Sequence, residues 1–470
     1  MSDGDSGQGL RRKLNAAQLL LAGIGASIGS GIFIVTGQAA AVHAGPAIAV
    51  SFVLSGIACA CAALCYAEFA AMLPRSGSAY TYAHAALGPA IAWLIFWSLI
   101  LEYLLAAAAA AAGWSGYFTG LLKSHGILIP TILTQPPLAY RDGSWQFSGA
   151  LVDLPAVIIL AVSTALLLRG IATSAFVNAL VVALKVTVIL LVIGIAAFYV
   201  QPAHWVPFVP PNSGVPGMFG WSGVLAGAGI VFFSYLGFDA VSTLAQECRN
   251  PQRDVPIGLL GTVAVCTILY VAMSLVLTGI VPYTSLNVTN PVAVALRSAS
   301  PALNWLADAA SVAAIAGMSS VILVVIMAQA RILYAVAGDR LIPSVFARVH
   351  PRHRVPSFST LLVGGLALLL AAFVPVNVLL SMISVGTLLA FSVVCLAVVV
   401  LRRTRPTLHR PFRVPMSPLI PLLGFVVCAY LLGSLLVDAW FRMAAWLVTG
   451  GVVYALYGRS RAGQNRGAVA

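Results

Sequence analysis

Polar and charged positions in this chain fall in short clusters, and long apolar stretches run between them. Pro46–Leu73, Val177–Val200 and Leu361–Val374 approach or exceed the roughly 20 residues, at about 1.5 Å rise each, that cross a hydrocarbon core. The pattern predicts helical spans near 17–36, 46–73, 88–117, 151–168, 173–200, 221–245, 256–281, 304–336, 358–375, 377–402, 416–437 and 439–457. The first sixteen residues are polar and basic, and the apolar stretch after them runs into a Gly-rich segment without a small-residue cleavage site. No cleavable signal is expected.

Composition agrees with this reading: 61% of the 470 residues are hydrophobic and 8% charged, with a mean hydropathy of +1.00. A water-soluble chain needs far more polar surface. The net charge of +13 suggests nucleic acid until its placement is examined. With the N-terminus inside, one face collects Arg11, Arg12, Lys13, Arg75, Arg169, Arg249, Arg253, Arg340, Arg348, Arg352, Arg354, Arg402, Arg403, Arg405, Arg410, Arg413, Arg459, Arg461 and Arg466. Opposite them stand Lys123, Arg141, Arg297 and Arg442. That bias is the positive-inside pattern. It places both termini in the cytoplasm of a multi-pass inner-membrane protein, and it scatters the arginines over separate loops, which excludes a nucleic-acid patch.

The expected organisation is a cytoplasmic tail (1–16), spans 1–5 (17–200), spans 6–10 (221–402), spans 11 and 12 (416–457) and a second cytoplasmic tail (458–470). The longest outward loop is Thr119–Gly149 and the longest inward one is Asp339–Ser357. The alanine-rich run Leu105–Ala112 in span 3 reads as a face where helices approach closely. The seven cysteines fall within spans or at their cytoplasmic ends, so no disulfide framework is implied, and Cys61 and Cys65 read as small packing residues.

Two spans are interrupted at corresponding positions. Span 1 contains Gly23-Ile24-Gly25-Ala26-Ser27-Ile28-Gly29-Ser30-Gly31-Ile32-Phe33, and span 6 contains Phe232-Phe233-Ser234-Tyr235-Leu236-Gly237-Phe238-Asp239. If spans 1–5 and 6–10 are repeats, an odd number of helices inverts the second against the first, and the interruptions meet at mid-membrane. Broken helices are tolerated there only where protein or a wet cavity satisfies the freed backbone groups. A half-helix N-terminus offers N–H groups to a carboxylate, and unwound carbonyls can accept from an ammonium. A zwitterionic amino acid matches those two poles. The competing reading is that the glycines permit tight packing, as the Gly25 and Gly29 spacing also allows.

Four segments resemble the amino acid–polyamine–organocation superfamily, and within it the bacterial cationic-amino-acid-transporter-like permeases. They are Gly29-Ser30-Gly31-Ile32-Phe33; Tyr66-Ala67-Glu68 with Pro74-Arg75-Ser76-Gly77-Ser78-Ala79-Tyr80; Gly237-Phe238-Asp239-Ala240-Val241 leading to Asn250-Pro251-Gln252-Arg253; and Arg410-Pro411-Phe412-Arg413-Val414-Pro415. The resemblance covers essentially the whole chain. It implies an all-α, twelve-span fold of two inverted five-helix repeats plus two C-terminal helices, with alternating access around a central site. It further implies that the amides of Gly29, Ser30 and Gly31 hold a substrate carboxylate and that the carbonyls of Ser27, Phe233, Ser234 and Leu236 take the ammonium. Phe233 stands where such permeases place an aromatic gate, against the alternative of a packing or lipid-facing aromatic. Val325 in span 8 stands where they vary side-chain selectivity.

Charges at the bilayer centre cost at least ~2.5–3.5 kcal/mol on insertion scales. Lys185 lies in mid-span 5. Desolvation disfavours a charged amine, so its proton could come and go with conformation. In the resembled permeases a lysine at this point stands where sodium-coupled relatives keep a cation, which makes Lys185 the candidate for proton coupling. The alternative is a permanently charged lysine paired with a carboxylate or with freed carbonyls. Glu102 in span 3 could stay neutral, share a proton with Lys185 through water, or face the substrate. Asp239 is expected to hold the unwound segment by accepting backbone N–H bonds, and Glu68 and Asp308 to be interfacial or packed.

A channel would need an acidic ring or a carbonyl filter, and an intramembrane enzyme a nucleophile–base or metal constellation; neither pattern is present. An amino-acid sensor would carry an added soluble domain. The expected function is secondary transport of L-amino acids by proton symport, with exchange or polyamine and other organic-cation transport as alternatives. No cofactor and no metal are implied. The expected partners are an amino acid, a proton and the lipid bilayer, with an accessory subunit left open.

Overall fold

The computed structural model describes residues 15–72, 78–141, 144–170, 175–243, 248–351, 353, 355–435 and 437–458. Arg11, Arg12, Lys13, Pro74, Arg75, Ser76, Gly77, Arg352, Arg354, Arg459, Arg461 and Arg466 lie outside the described residues, as do the N-terminal tail up to residue 14 and the C-terminal tail from 459.

The described residues are mostly helical. In order the helices are α1 (Ala16–Ser27), α2 (Thr36–Ala39), α3 (Ile48–Met72), α4 (Ser78–Leu87), α5 (Pro89–Ser124), α6 (Leu154–Leu168), α7 (Ala175–Ala196) and α8 (Gly220–Val231). There follow α9 (Ala240–Thr243), α10 (Pro251–Ile280), α11 (Pro291–Ala299), α12 (Asn304–Gly338), α13 (Ser357–Phe373), α14 (Val376–Thr404), α15 (Leu419–Gly433) and α16 (Val437–Val453). Among the described residues six helical stretches are long and apolar enough to cross a membrane, and the shorter apolar helices include α1, α6, α13 and α15.

Local sequence sets the ends of these elements. Asn15 caps α1 reciprocally with Gln18: each side chain accepts from the other's backbone N–H, at 2.9 and 3.1 Å. Asp153 caps α6 by accepting from the Ala156 N–H at 3.2 Å while the Ser115 hydroxyl holds its carboxylate. Proline opens α5, α6, α10 and α11, where its missing N–H costs nothing. Between α2 and α3 the chain turns at Gly45, whose φ of +57° suits a residue without Cβ.

Three features depart from the expected spans. The first span does not end at 36 but continues in π-helical turns to Ala44. The segment 119–149, expected as an outward loop, is not all loop: α5 runs on to Ser124, and β1 (Leu138–Arg141) pairs antiparallel with β2 (Ser144–Phe147). Two short helices, α4 and α11, were not expected. α11 has five of its nine residues buried, and it is too short for an apolar-run criterion to detect.

α12 packs along α5, α10 along α3, and α1 along α10. The apolar core runs through these helices; buried cysteines fill its narrow gaps, and a Cβ on Gly424 would meet Cys395 Sγ and Cys61 Cβ, each at 2.9 Å. Asp308 pairs with Arg297 at 2.6 Å and lies 3.7 Å from His125. Glu68, 3% exposed, draws two of the resembling segments together at one end of the helices. It takes the Arg402 guanidinium through both oxygens, accepts from the Val414 N–H at 2.7 Å and lies 3.5 Å from Arg410 Nε. Arg410 also donates to the carbonyls of Leu401, Arg405, Pro406 and Leu408. Removing one partner from a buried charge cluster typically costs about 3–5 kcal/mol. Glu68→Ala should therefore melt well below the wild type in detergent, with Glu68→Asp in between; equal melting temperatures would show that the cluster contributes no stability.

Candidate functional site

α1 stops at Ser27 because Ile28 turns extended (φ −76°, ψ 101°), and helical geometry resumes at Gly31. α8 tightens into a 3₁₀ turn over Phe232–Tyr235, and the chain then unwinds through Leu236–Asp239 before α9. Gly237 adopts φ +110°, and a Cβ there would strike the backbone of Ala26 at 2.7 Å. The two interruptions thus cross in contact.

The span 1 glycines serve both readings of that motif. A Cβ on Gly25 would reach 2.7 Å from Val182, on Gly29 2.8 Å from Val321, and on Gly31 2.5 Å from Ser234 Cβ and 2.6 Å from its Cα. Close packing and helix breakage occur in the same seven residues, Gly25–Gly31. Gly29–Gly31 lie at the start of the second half-helix, where first-turn amides lack intrahelical acceptors.

A cavity of about 10 Å³ lies between the half-helices, with room for a water molecule. Ser27, Gly29, Ser30, Gly31, Phe233 and Leu236 line it, with Ala26, Ala106 of α5 and Val321 of α12. Ser234 is adjacent, its hydroxyl buried and, among the described residues, without a hydrogen-bond partner. Val325 is not among the residues lining this cavity: it stands one turn further along α12 than Val321, which is. Ala106 belongs to the alanine run, whose small side chains let α5 approach the break.

The four expected carbonyls differ in what they already hold. The Tyr270 hydroxyl donates towards both Ser27 O, at 3.1 Å, and Ser234 O, at 2.7 Å. Phe233 O accepts from the Leu236 N–H at 2.9 Å. Tyr270, on α10, ties the two interruptions together, and only its position as a hydroxyl in mid-span marked it in the sequence.

Lys185 is fully buried on α7, its stem passing Gly317 of α12. Its ammonium donates to Gly25 O at 2.6 Å and Ile28 O at 2.7 Å, the carbonyls released where α1 ends. Among the described residues no carboxylate lies within ion-pair distance of it. A cation at a helix C-terminus is favoured by the dipole, and hydrogen bonds to an ionised donor are the stronger kind. Glu102 is placed elsewhere. It is buried on α5 beside Gly386 of α14, and among the described residues its Oε2 has no hydrogen-bond partner and Lys185 bonds to Gly25 and Ile28 instead. Asp239 Oδ1 accepts from the Gly237 N–H at 3.2 Å, and Oδ2 from the Tyr103 hydroxyl at 3.3 Å. Among the described residues no group of three metal-ligating side chains assembles.

The arrangement sets the first-turn amides of one half-helix and the unwound carbonyls of the other around one small cavity with no charged side chain in its lining. A family model described as amino acid permease matches residues 14–454. The methylthioribose transporter of Bacillus subtilis (strain 168) is 43% identical over 457 residues, covering 97% of this chain and 95% of that protein. The branched-chain amino acid permease BcaP of the same organism is 42% identical over 458 residues, with the same coverage of 97% and 95%. The vacuolar cationic amino acid transporter 4 of Arabidopsis thaliana is 39% identical over 401 residues, covering 84% of this chain and 64% of that protein.

Proposed function

The chain belongs to the amino acid permease family, and from that premise we propose that it carries neutral L-amino acids across the cytoplasmic membrane by alternating access, coupled to protons. It is a transporter and not an enzyme. In this reading twelve spans form two inverted five-helix repeats, 17–200 and 221–402, followed by 416–457, with both termini in the cytoplasm. The arginine bias supports the orientation.

The observation that carries the proposal is the meeting of two interrupted helices around one small cavity. The substrate carboxylate takes the amides of Gly29, Ser30 and Gly31, and its ammonium the remaining acceptor capacity of the Ser27, Phe233, Ser234 and Leu236 carbonyls. Phe233 closes the cavity from one side. A cavity of about 10 Å³ is far smaller than an amino acid, so entry requires the half-helices to part, hinging at 28–30 and 236–239. The lining has no charged side chain, which favours an apolar substrate over arginine or lysine. One relative is named for branched-chain amino acids. Lys185 senses the proton: it holds the end of α1 through two carbonyls, and loss of its charge loosens that hold.

Uptake of radiolabelled amino acids into proteoliposomes tests this. With one proton per substrate, each unit of inward pH gradient should drive about tenfold accumulation of a branched-chain amino acid. Uptake indifferent to pH but stimulated by internal amino acid would make the protein an exchanger. Failure to carry any amino acid would move the assignment to another organic cargo.

A further inference from the structure

A second and larger cavity has a volume of about 250 Å³. Its lining includes Val35, four residues after Gly31, and Ile230, three before Phe233, so the same pair of half-helices contributes to both cavities. The β1–β2 hairpin and the start of α14 wall it through Tyr140 and Asn377, whose side-chain amide donates to Tyr140 O at 3.2 Å. Arg442 on α16 completes the lining, its guanidinium carbon 4.8 Å from the Tyr140 ring centroid and 5.8 Å from that of Trp145. Among the described residues no carboxylate pairs with Arg442, and no acidic side chain lines the cavity.

A guanidinium stacked on aromatic rings is oriented before a ligand arrives and keeps its edge N–H groups available. Its fork matches a carboxylate through two parallel hydrogen bonds. The volume is just below that of ordinary small-ligand sites, which start at roughly 300 Å³. We propose that this cavity is a vestibule site that holds the incoming substrate by its carboxylate on Arg442 before the carboxylate passes to the amides of Gly29–Gly31. The proposal rests on the amino-acid transport reading above and adds a second station to it. Asn287, also in the lining, offers an amide oxygen as an acceptor for the substrate's ammonium in this proposal.

The test is uptake by wild type, Arg442→Gln and Arg442→Lys in proteoliposomes, using a branched-chain amino acid at low and high ionic strength. Arg442→Gln should raise KM about tenfold with the maximal rate within about twofold, and Arg442→Lys should recover most of the loss. The wild-type KM should rise about threefold in high salt, and that of Arg442→Gln should not move, because screening acts on the charge that the variant lacks. An unchanged KM in Arg442→Gln overturns the inference alone. A raised KM with wild-type salt dependence also overturns it, since Arg442 would then act through packing against the hairpin. If the wild type carries no amino acid, the transport reading fails and this inference with it.

Discussion

Lys185→Ala is expected to abolish the stimulation of uptake by an inward proton gradient, with a loss on the order of 100-fold in gradient-driven rate. The ammonium supplies two hydrogen bonds, at 2.6 and 2.7 Å, to carbonyls that α1 leaves open at its end. Bonds from an ionised donor contribute about 1.5–3 kcal/mol each, and a buried acceptor left unmade costs about 1–3 kcal/mol. A bias of that size shifts a two-state equilibrium by one to two orders of magnitude. Lys185→Arg separates coupling from scaffolding, because a guanidinium stays charged at every accessible pH. It should preserve the melting temperature better than alanine and still lack gradient stimulation. Retention of both transport and its pH dependence in Lys185→Ala would sink proton coupling through this residue. Glu102 enters as a separate site, since it lies against α14 and not against the lysine.

Gly31→Ala is expected to reduce uptake to background although the substitution adds one methyl group. The new Cβ would lie 2.5 Å from Ser234 Cβ and 2.6 Å from Ser234 Cα. A flexible side-chain tip could move aside, but a backbone atom cannot without separating the two interruptions. Overpacking of this kind costs about 1–3 kcal/mol in stability. The larger effect is on function, because the displaced segment carries the amides and carbonyls proposed to hold the substrate. Gly194→Ala is the matched control: nothing lies within 4 Å of its added Cβ, so both uptake and melting should stay near wild type. Wild-type rates in Gly31→Ala would falsify the close crossing of the two half-helices.

The apolar stretches could be located from the chain alone because lipid removes the need for a polar face, so a span announces itself by length. The same criterion overlooked α4 and α11, which are short and mixed in polarity, and the β1–β2 hairpin, whose strands are four residues each. Span 1 was readable in two ways, and both hold: Gly25, Gly29 and Gly31 face neighbours closely, and the helix breaks among them. Span 8 was readable only to within a turn. Val321 and Val325 lie on one face of α12, and sequence spacing cannot say which of them meets the break.

The sequence by itself determined that this is a helical membrane protein with two interrupted spans, that Lys185 is buried in one of its helices, and which motifs it shares with its family. These follow from local chemistry: runs of apolar side chains, glycines that remove Cβ atoms, and a charge too deep to reach water. Only the tertiary structure decided what each freed group meets. It gave the end of α1 to Lys185, two of the carbonyls to Tyr270, the Glu68 carboxylate to Arg402, Arg410 and Val414, and the second cavity to Arg442. Those partners are up to 346 residues apart in the chain. A buried polar group must find a donor or an acceptor somewhere, but its own neighbourhood in sequence does not say where, because helix packing chooses the partner.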